Sequence, residues 1–342
     1  MKGVVIQKPG QGEYGEIPQP EIADGQVLVR VEAVGVCLSD VEVYDGTRPE
    51  QYVSYPCIPG HEWCGTVVET GGGVRHLTVG DHVAVEGHNY CGRCFFCQHG
   101  QTNLCESYSE LGFTLPGAYA EYVAVRADLA HPFSQSLSCE LAALTEPASC
   151  AGHGILRAPV RPGETVVVIG PGTIGLLSAG WARALRAGRI IVIGLDRKSE
   201  GLARAVGATD YLTVAENPVE QVRALTNGRG ADVVLEAAGS PAAVALACDV
   251  ARRGGTVVAA GVVGGSRPLT LESDLFSLKD LRVHGIFAYT SEIFQKTLRQ
   301  IESGALDVRP FVTHRFPLEK FQQAFSLLKN RPEPVLKILL IP

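Results

Sequence analysis

The sequence lacks any unbroken apolar run of about 18 residues, the length that a membrane-spanning helix requires. It also lacks an excess of positive charge, since 30 Lys and Arg against 36 Asp and Glu give a net charge of -6. A basic nucleic-acid-binding surface is therefore not expected. The first residues run into Pro9 and Gly10 too early for the apolar core of a signal peptide. We expect a cytoplasmic protein with neither nucleic-acid nor membrane partners.

Charged residues are scarce, at 19% against 46% hydrophobic residues, which excludes a disordered chain. A length of 342 residues suggests two or three domains. Ten cysteines are too few for a disulfide scaffold in a chain of this length, and four of them lie between Cys91 and Cys105. In a chain with no export signal, that local density indicates metal binding in a reducing compartment.

The sequence pattern changes near residue 150 and divides the chain into a β-type part and a part in which strands and helices alternate. Residues 1 to about 148 contain short β-type runs, such as 27–31 and 82–85, punctuated by Gly, Pro and Asp, and this pattern is typical of a β-rich, barrel-like domain. From about 150 to 285, apolar runs alternate with helical stretches, which predicts a doubly wound α/β sheet. These runs are 165–169, 190–193, 232–235 and 256–259. The tail predicts a helix over 292–303 and a strand over 335–340.

A glycine-rich loop, G-x-G-x-x-G at 170–175, follows the first buried run and opens a helix. Gly172 would let the backbone approach a pyrophosphate, and Gly175 would let the helix pack close to the strand. The helix N-terminus then offers free N–H groups to phosphates. The alternative is an ordinary glycine turn of an α/β protein. The predicted dinucleotide-contacting residues are Gly170, Gly172, Thr173, Ile174 and Gly175.

Asp196 follows Gly175 by 21 residues, at the end of the second predicted strand. A carboxylate there can accept hydrogen bonds from the adenosine ribose and would repel the extra phosphate of NADP, so we favour NAD. Arg197 and Lys198 act in the opposite direction, because cations beside the ribose favour a 2′-phosphate. A solvated loop is the alternative for these two residues.

The four clustered cysteines are spaced Cys91-x-x-Cys94-x-x-Cys97 followed by Cys105. Four thiolates in so short a lobe can surround one ion tetrahedrally with no open position, which is typical of structural zinc. Such an ion would hold together a lobe that has no core of its own. Buried free thiols and an iron–sulfur cluster are the alternatives.

A second set of residues has the chemistry of a catalytic zinc. Cys37, His61 and a carboxylate would leave a zinc ion with an open position for substrate or water. The carboxylate is either Glu62, beside the histidine, or Glu146, an acid within an apolar stretch that needs a partner. We therefore expect two zinc ions per chain.

In its motifs the chain resembles the zinc-dependent medium-chain alcohol dehydrogenases. The residues that carry the resemblance occur in the family's order along essentially the whole chain: Gly60-His61-Glu62, Gly80-Asp81-His82-Val83, the four-cysteine lobe and the loop 170–175. Glu146-Pro147 looks like the polyol (sorbitol) dehydrogenase branch. Glu86-Gly87-His88 and the segment 116–122 look more like threonine dehydrogenases.

The resemblance implies a GroES-like catalytic domain at 1–148 and 286–342, with a structural zinc lobe at about 86–108. A Rossmann domain at 149–285 would be inserted between the two parts. It implies catalytic zinc at Cys37 and His61, with Glu62 or Glu146 as the further ligand. Ser39 matches the hydroxyl that passes the substrate proton, and Asp40 matches the group that orients His61. Relatives of this kind are dimers or tetramers.

The expected activity is NAD-dependent oxidation of a secondary alcohol, of polyol or sugar type, to a ketone. Three positions depart from the family pattern. Glu42 stands where a histidine is frequent, and we interpret it as the outer end of the proton relay, with a surface carboxylate or a substrate contact as alternatives. The segment 287–289 lacks the arginine that sorbitol dehydrogenases carry there. Gly201 stands where many relatives have an arginine near the adenine, a place that Arg197 can take.

Two rival functions remain open in the sequence. One is oxidation of the secondary alcohol of L-threonine, which requires recognition of a zwitterion. The other is a noncatalytic scaffold protein, which predicts loss of the catalytic zinc ligands, and here those residues are present.

Overall fold

The computed structural model describes residues 1–262, 267–272 and 274–342. Contacts divide the chain into two compact units. The first unit comprises Met1–Glu146, Thr290–Gly304 and Phe311–Pro342, so it is built from both ends of the chain. The second comprises Pro147–Tyr289 and Ala305–Pro310. Within the described residues no helix is both long and apolar enough to cross a membrane.

Short strands dominate the N-terminal part of the first unit, as the short runs separated by Gly, Pro and Asp predict. The predicted strand 27–31 lies within the observed strand Gln26–Val36, and 82–85 coincides with the observed strand His82–Val85. The elements are β1 (Lys2–Lys8), β2 (Gln11–Glu16), β3 (Gln26–Val36), α1 (Leu38–Asp45), β4 (Glu62–Thr70), β5 (His82–Val85), β6 (His88–Asn89), α2 (Phe95–Gln98), β7 (Ser109–Glu110), β8 (Tyr122–Arg126), β9 (Ala130–Pro132) and α3 (Cys139–Ala142).

Strands and helices alternate through the middle of the chain. The elements are α4 (Thr145–Arg157), β10 (Thr165–Ile169), α5 (Thr173–Ala184), β11 (Arg189–Gly194), α6 (Glu200–Ala205), β12 (Asp210–Thr213), α7 (Pro218–Leu225), β13 (Ala231–Glu236), α8 (Pro241–Val250), β14 (Ala251–Ala259), α9 (Asp274–Lys279) and β15 (Arg282–Gly285). The strands form one parallel sheet in the order β12-β11-β10-β13-β14-β15. This is the doubly wound dinucleotide-binding order, and it confirms the predicted α/β sheet.

The C-terminal segment returns to the first unit. Its elements are α10 (Ser291–Glu302), β16 (Val312–Pro317), α11 (Phe321–Asn330) and β17 (Lys337–Ile341). The last strand begins two residues later than predicted, because the Leu336 N–H donates to the Thr313 hydroxyl at 3.3 Å instead of joining the ladder. The last strand pairs with β3, which gives a seven-stranded sheet ordered β16-β17-β3-β4-β5-β9 with β8 also on β3.

The register of this sheet sets the geometry of the candidate site. Gly35, near the end of β3, lies opposite Glu62 at the start of β4. On the other side of β3, Val36 lies opposite Ile338 of β17. Because β3 pairs with both β4 and β17, the C-terminal end of β3 lies beside Glu62 and beside the start of β17.

Candidate active site

Cys37, His61 and Glu62 converge at this end of the sheet. Cys37 directly follows β3 and is the N-cap residue of α1, whereas His61 and Glu62 stand at the start of β4. One ligand atom from each of the three side chains lies within 4.8 Å of the other two. His61 and Glu62 are buried and Cys37 is partly exposed. The structure thus brings together three of the four residues predicted to surround a catalytic zinc ion.

A buried lysine lies beside Glu62. Lys337 Nζ donates to Glu62 Oε2 at 2.5 Å and to the Val36 carbonyl at 3.2 Å. Glu62 and the other neighbouring acids outweigh the effect of burial, so the pKa of Lys337 is raised rather than lowered. A Cβ at Gly35 would lie 2.3 Å from Glu62 Oε2, so only glycine leaves room for this carboxylate. Lys337 therefore holds one oxygen of Glu62.

Asp40 connects the two ligand segments. Its carboxylate is fully buried and accepts the Cys37 N–H at 2.8 Å and the Gly60 N–H at 3.3 Å. The hydroxyl of Tyr119 donates to it at 3.3 Å. A single buried carboxylate thereby fixes the backbone before His61 and the backbone of Cys37.

The same carboxylate faces the histidine. Asp40 Oδ1 lies 3.4 Å from His61 Nδ1, close for an electrostatic contact but long for a hydrogen bond. Burial lowers the pKa of His61, but Asp40 and Cys37 outweigh it, and the pKa lies well above its usual value. This placement is the one expected of a residue that orients His61.

Glu146 is buried nearby but is not one of the three converging ligands. Burial, with smaller contributions from the charges of Glu62 and Glu110 and against the opposing effect of His61, raises the pKa of Glu146 to about 8. Glu146 therefore lies within the electrostatic field of the site. Glu62 and Glu146, the alternative carboxylate ligands offered by the sequence, thus lie at different positions: Glu62 converges with Cys37 and His61, and Glu146 does not.

Ser39 and Glu42 lie on α1, directly after Cys37. Residues three apart on a helix share one face, so both side chains extend from the same side of α1. Both are partly buried. Their part in a proton relay stays a prediction.

The four-cysteine lobe is closed and compact. The ligand sulfurs of Cys91, Cys94, Cys97 and Cys105 all lie within 4.8 Å of one another, and the sulfurs of Cys94 and Cys105 are 4.0 Å apart. Backbone amides of Arg93 and Cys94 lower the pKa of Cys91 to about 6, whereas burial raises the pKa of Cys97 to about 12. A thiolate at Cys97 therefore requires a cation beside it.

The donor set of the lobe fits zinc. Zn–S bonds of about 2.3 Å in a tetrahedron place the sulfurs about 3.8 Å apart, close to the separation of Cys94 and Cys105. The set at Cys37 fits a zinc ion with fewer protein ligands, since sulfur, imidazole and carboxylate are all zinc ligands. The buried Nδ1 of His61 faces the Asp40 carboxylate at 3.4 Å and makes no hydrogen bond to a described residue.

The glycine loop lies between β10 and α5, as predicted. Gly172 is the N-cap residue of α5, and a Cβ there would meet no atom within 4 Å. A Cβ at Gly175 would lie 1.9 Å from the Gly170 carbonyl oxygen, so the close approach of helix and loop requires glycine. Thr173 and Ile174 form the first turn of α5, where N–H groups lack intrahelical partners. The loop can hold a pyrophosphate in the predicted manner.

Asp196 follows β11, and its side chain is 57% exposed. Among the described residues, its carboxylate accepts the Lys198 N–H at 2.9 Å and lies 3.7 Å from the Lys198 ammonium group. Arg197 is held by Glu200 at 2.8 Å and by Glu216 at 2.6 Å. The aspartate is thus accessible to a ribose, whereas the neighbouring arginine is neutralised by two carboxylates.

Two family models match the chain. Residues 23–135 match the one described as Alcohol dehydrogenase GroES-like domain. Residues 173–303 match the one described as Zinc-binding dehydrogenase. The first match contains the candidate metal ligands except Glu146, and the second begins inside the glycine loop.

Characterised relatives align along nearly the whole chain. A sorbitol dehydrogenase from Bacillus subtilis (strain 168) is 34% identical over 100% of this chain and 97% of its own length. An L-threonine 3-dehydrogenase from Bacillus licheniformis is 34% identical over 99% of this chain and 98% of its own. A crystal structure of a Sinorhizobium meliloti 1021 protein bound to NADP superposes with a TM-score of 0.93, at 31% identity, covering 100% and 99% of the two chains.

Proposed function

Because the chain belongs to the zinc-dependent medium-chain alcohol dehydrogenase family, we propose that it oxidises a secondary alcohol of polyol or sugar type to a ketone and transfers the hydride to NAD. The family makes it an NAD(P)-dependent oxidoreductase that acts on small molecules. The convergence of Cys37, His61 and Glu62 within 4.8 Å is the observation that carries the proposal.

We assign the catalytic zinc to Cys37, His61 and Glu62, and the structural zinc to the four-cysteine lobe. When bound, a zinc ion with an open position polarises the substrate oxygen, and the nicotinamide accepts the hydride. Lys337 compensates the buried charge of Glu62, and Asp40 holds Cys37 and the segment of His61 in place. Glu146 remains beside this set as the alternative carboxylate.

The chain's own route for the substrate proton begins at Ser39. Its hydroxyl can accept a proton from the alcohol and donate its own onward, because a hydroxyl is both donor and acceptor. Glu42, on the same face of α1, is the proposed acceptor at the outer end. A carboxylate is a weaker base than the imidazole that is frequent at this position in the family pattern, so water would share the task.

Replacing Glu42 by Gln keeps the shape of the side chain and removes its base. We expect the rate of alcohol oxidation to fall by about tenfold near neutral pH and to recover toward alkaline pH, where hydroxide replaces the missing base. Rates measured from about pH 6 to pH 10 test this. Glu69→Gln, an exposed carboxylate on β4, is the control. A profile identical to wild type removes Glu42 from the relay, and a change in KM alone makes it a substrate contact.

We propose NAD as the cofactor, with Asp196 as the residue that distinguishes it from NADP. Asp196→Ala should lower the ratio of kcat/KM for NAD over NADP by about 10- to 100-fold, because charge-assisted bonds to the ribose and repulsion of the 2′-phosphate are both lost. Steady-state kinetics with both cofactors provide the measurement.

Arg197→Ala is the matched variant. Because Glu200 and Glu216 already engage this guanidinium, its loss should leave the cofactor ratio nearly unchanged. A wild-type enzyme that prefers NADP, the cofactor bound in the crystallised relative, would show that Arg197 and Lys198 dominate.

L-threonine is the second candidate substrate, because one of the relatives is an L-threonine 3-dehydrogenase. An NADH-absorbance screen of polyols, sugars, simple secondary alcohols and L-threonine distinguishes the two functions. Activity confined to L-threonine would replace the polyol proposal.

We further propose a cytoplasmic homodimer or homotetramer. The family supports the assembly, and ten cysteines without a disulfide support a reducing compartment. Light scattering on the purified protein measures the assembly, and a monomer at working concentration would contradict it.

A further inference from the structure

An ion pair of opposite charges lies beside the candidate catalytic site in the first unit. Arg48, in the loop after α1, places an Nη atom 3.2 Å from Glu110 Oε2 on β7. The two side chains are only 17% and 21% exposed. They are thus neither a solvated surface pair nor fully withdrawn from solvent.

One aromatic ring connects this pair with the metal ligands. The guanidinium carbon of Arg48 lies 3.7 Å from the ring centroid of Phe113. The His61 ring lies 4.9 Å from the same ring. Burial raises the pKa of Glu110, with His61 and Arg48 acting against the effect, so its carboxylate shares the electrostatic environment of His61. Arg48 is therefore about one aromatic ring away from a ligand of the proposed zinc.

The guanidinium of Arg48 has more hydrogen-bond donors than its contacts use. Its Nε donates to the Tyr52 carbonyl at 3.2 Å, and one Nη donates to Glu110. A guanidinium carries five N–H groups in a planar fork, so three remain without an acceptor in the described part of the chain. Such a fork matches the oxygens of a carboxylate or a phosphate.

A second ion pair in the same unit shows the contrast. Arg315 binds both oxygens of Glu140 through Nε and Nη, at 2.8 and 2.7 Å. Arg315 therefore uses the same two donor atoms as Arg48, and one edge of its fork also stays available, but its side chain is 52% exposed. Arg48 is only 17% exposed and lies against Phe113, whose ring also contacts His61.

We propose that Arg48 determines substrate specificity by binding an anionic group, a carboxylate or a phosphate, carried by the alcohol several bonds away from the reacting carbon. Glu110 is a positioning residue that holds the guanidinium over Phe113. This inference rests on the proposed oxidation of polyol-type alcohols and narrows it to sugar acids and sugar phosphates.

Three substrates with the same carbon chain test the proposal: a neutral polyol, the corresponding sugar acid and the corresponding sugar phosphate. On the holoenzyme with saturating cofactor, we expect kcat/KM for at least one anionic member to exceed that for the polyol by about 10- to 100-fold. The sugar acid and the sugar phosphate decide between carboxylate and phosphate. Calorimetric titration of the holoenzyme–NADH complex with the preferred anion measures binding without turnover.

Arg48→Ala should remove this advantage through KM, with kcat and the activity toward the neutral polyol changed less than about threefold. Arg48→Lys should restore part of it, since a lysine keeps the charge and loses the fork. Glu110→Gln should weaken anion binding less than Arg48→Ala does. Arg315→Ala is the matched control and should leave the advantage intact, and thermal melting checks that each variant is folded.

Two results would overturn the inference while the proposed function stands. One is an equal kcat/KM for neutral and anionic members in the wild type. The other is an Arg48→Ala variant that loses activity equally toward all three, which would make the ion pair a support for the loop. Activity toward L-threonine alone, or toward no alcohol, would refute the proposed function itself, and the inference with it.

Discussion

His61→Ala is expected to reduce kcat/KM for alcohol oxidation by about 10³-fold or more while the fold remains intact. His61 is one of three residues whose ligand atoms converge within 4.8 Å, and its imidazole cannot be replaced by a methyl group. Loss of the zinc ion removes the charge that stabilises the developing alkoxide, which is worth several kcal/mol. Initial rates of NADH formation measure the loss.

Metal analysis of the same variant separates this explanation from a general defect. The zinc content should fall from two ions per chain to one, because the four-cysteine lobe is a separate site. His314→Ala, which removes a histidine paired with Glu333 in the same unit, should retain both ions and full activity. A His61→Ala protein with two zinc ions and normal turnover would show that the catalytic centre lies elsewhere.

The second large effect concerns stability. Cys97→Ser should lower the melting temperature by about 10 °C or more, because metal binding supplies the folding free energy of the lobe. The lobe has little core of its own, since Phe95 within it is 61% exposed. Calorimetry or circular dichroism on the zinc-loaded protein measures the shift.

Cys248→Ser is the matched control for Cys97→Ser. It removes another thiol, one buried in α8 away from any cysteine cluster, and should cost far less. Activity at low temperature should survive in the Cys97→Ser variant while the lobe remains folded. Equal melting temperatures for Cys97→Ser and wild type would contradict a structural metal site.

Local patterns in the sequence were enough to predict four strands of the parallel sheet and the glycine loop that follows the first of them. The run at 165–169, followed by G-x-G-x-x-G, predicts β10, the loop and α5 because strand, turn and helix signals lie within a few residues of each other. The spacing of the four cysteines likewise predicts a cluster from one short segment, and the structure brings their sulfurs together. Each of these predictions rests on contacts between near neighbours in sequence.

Contacts between distant segments could not be predicted in this way. Lys337 reaches Glu62 only because β17 pairs with β3, and β3 pairs with β4. A signal was nevertheless present, since a lysine within an apolar strand is almost never buried without a partner. The sequence does not indicate which acid that partner is.

The pair of Arg48 and Glu110 had no sequence signal of its own. Both residues lie in segments with ordinary loop composition, and 62 residues separate them. Only the fold places them against Phe113, whose ring also contacts His61. The proposed determinant of specificity was therefore the least predictable feature, because it depends on a loop residue and a residue of β7 that are far apart in the sequence and belong to no motif.

Deuterium transfer tests the central claim most directly. The zinc-loaded protein is incubated with NAD and secondary alcohols, including sugar acids and sugar phosphates, that carry deuterium on the carbinol carbon. Mass spectrometry then measures the label in the dinucleotide product. We predict one deuterium per NADH formed with at least one of these alcohols, and about 10³-fold slower formation of labelled NADH with the His61→Ala protein. Unlabelled dinucleotide with every alcohol, from protein that holds two zinc ions per chain, would contradict the account.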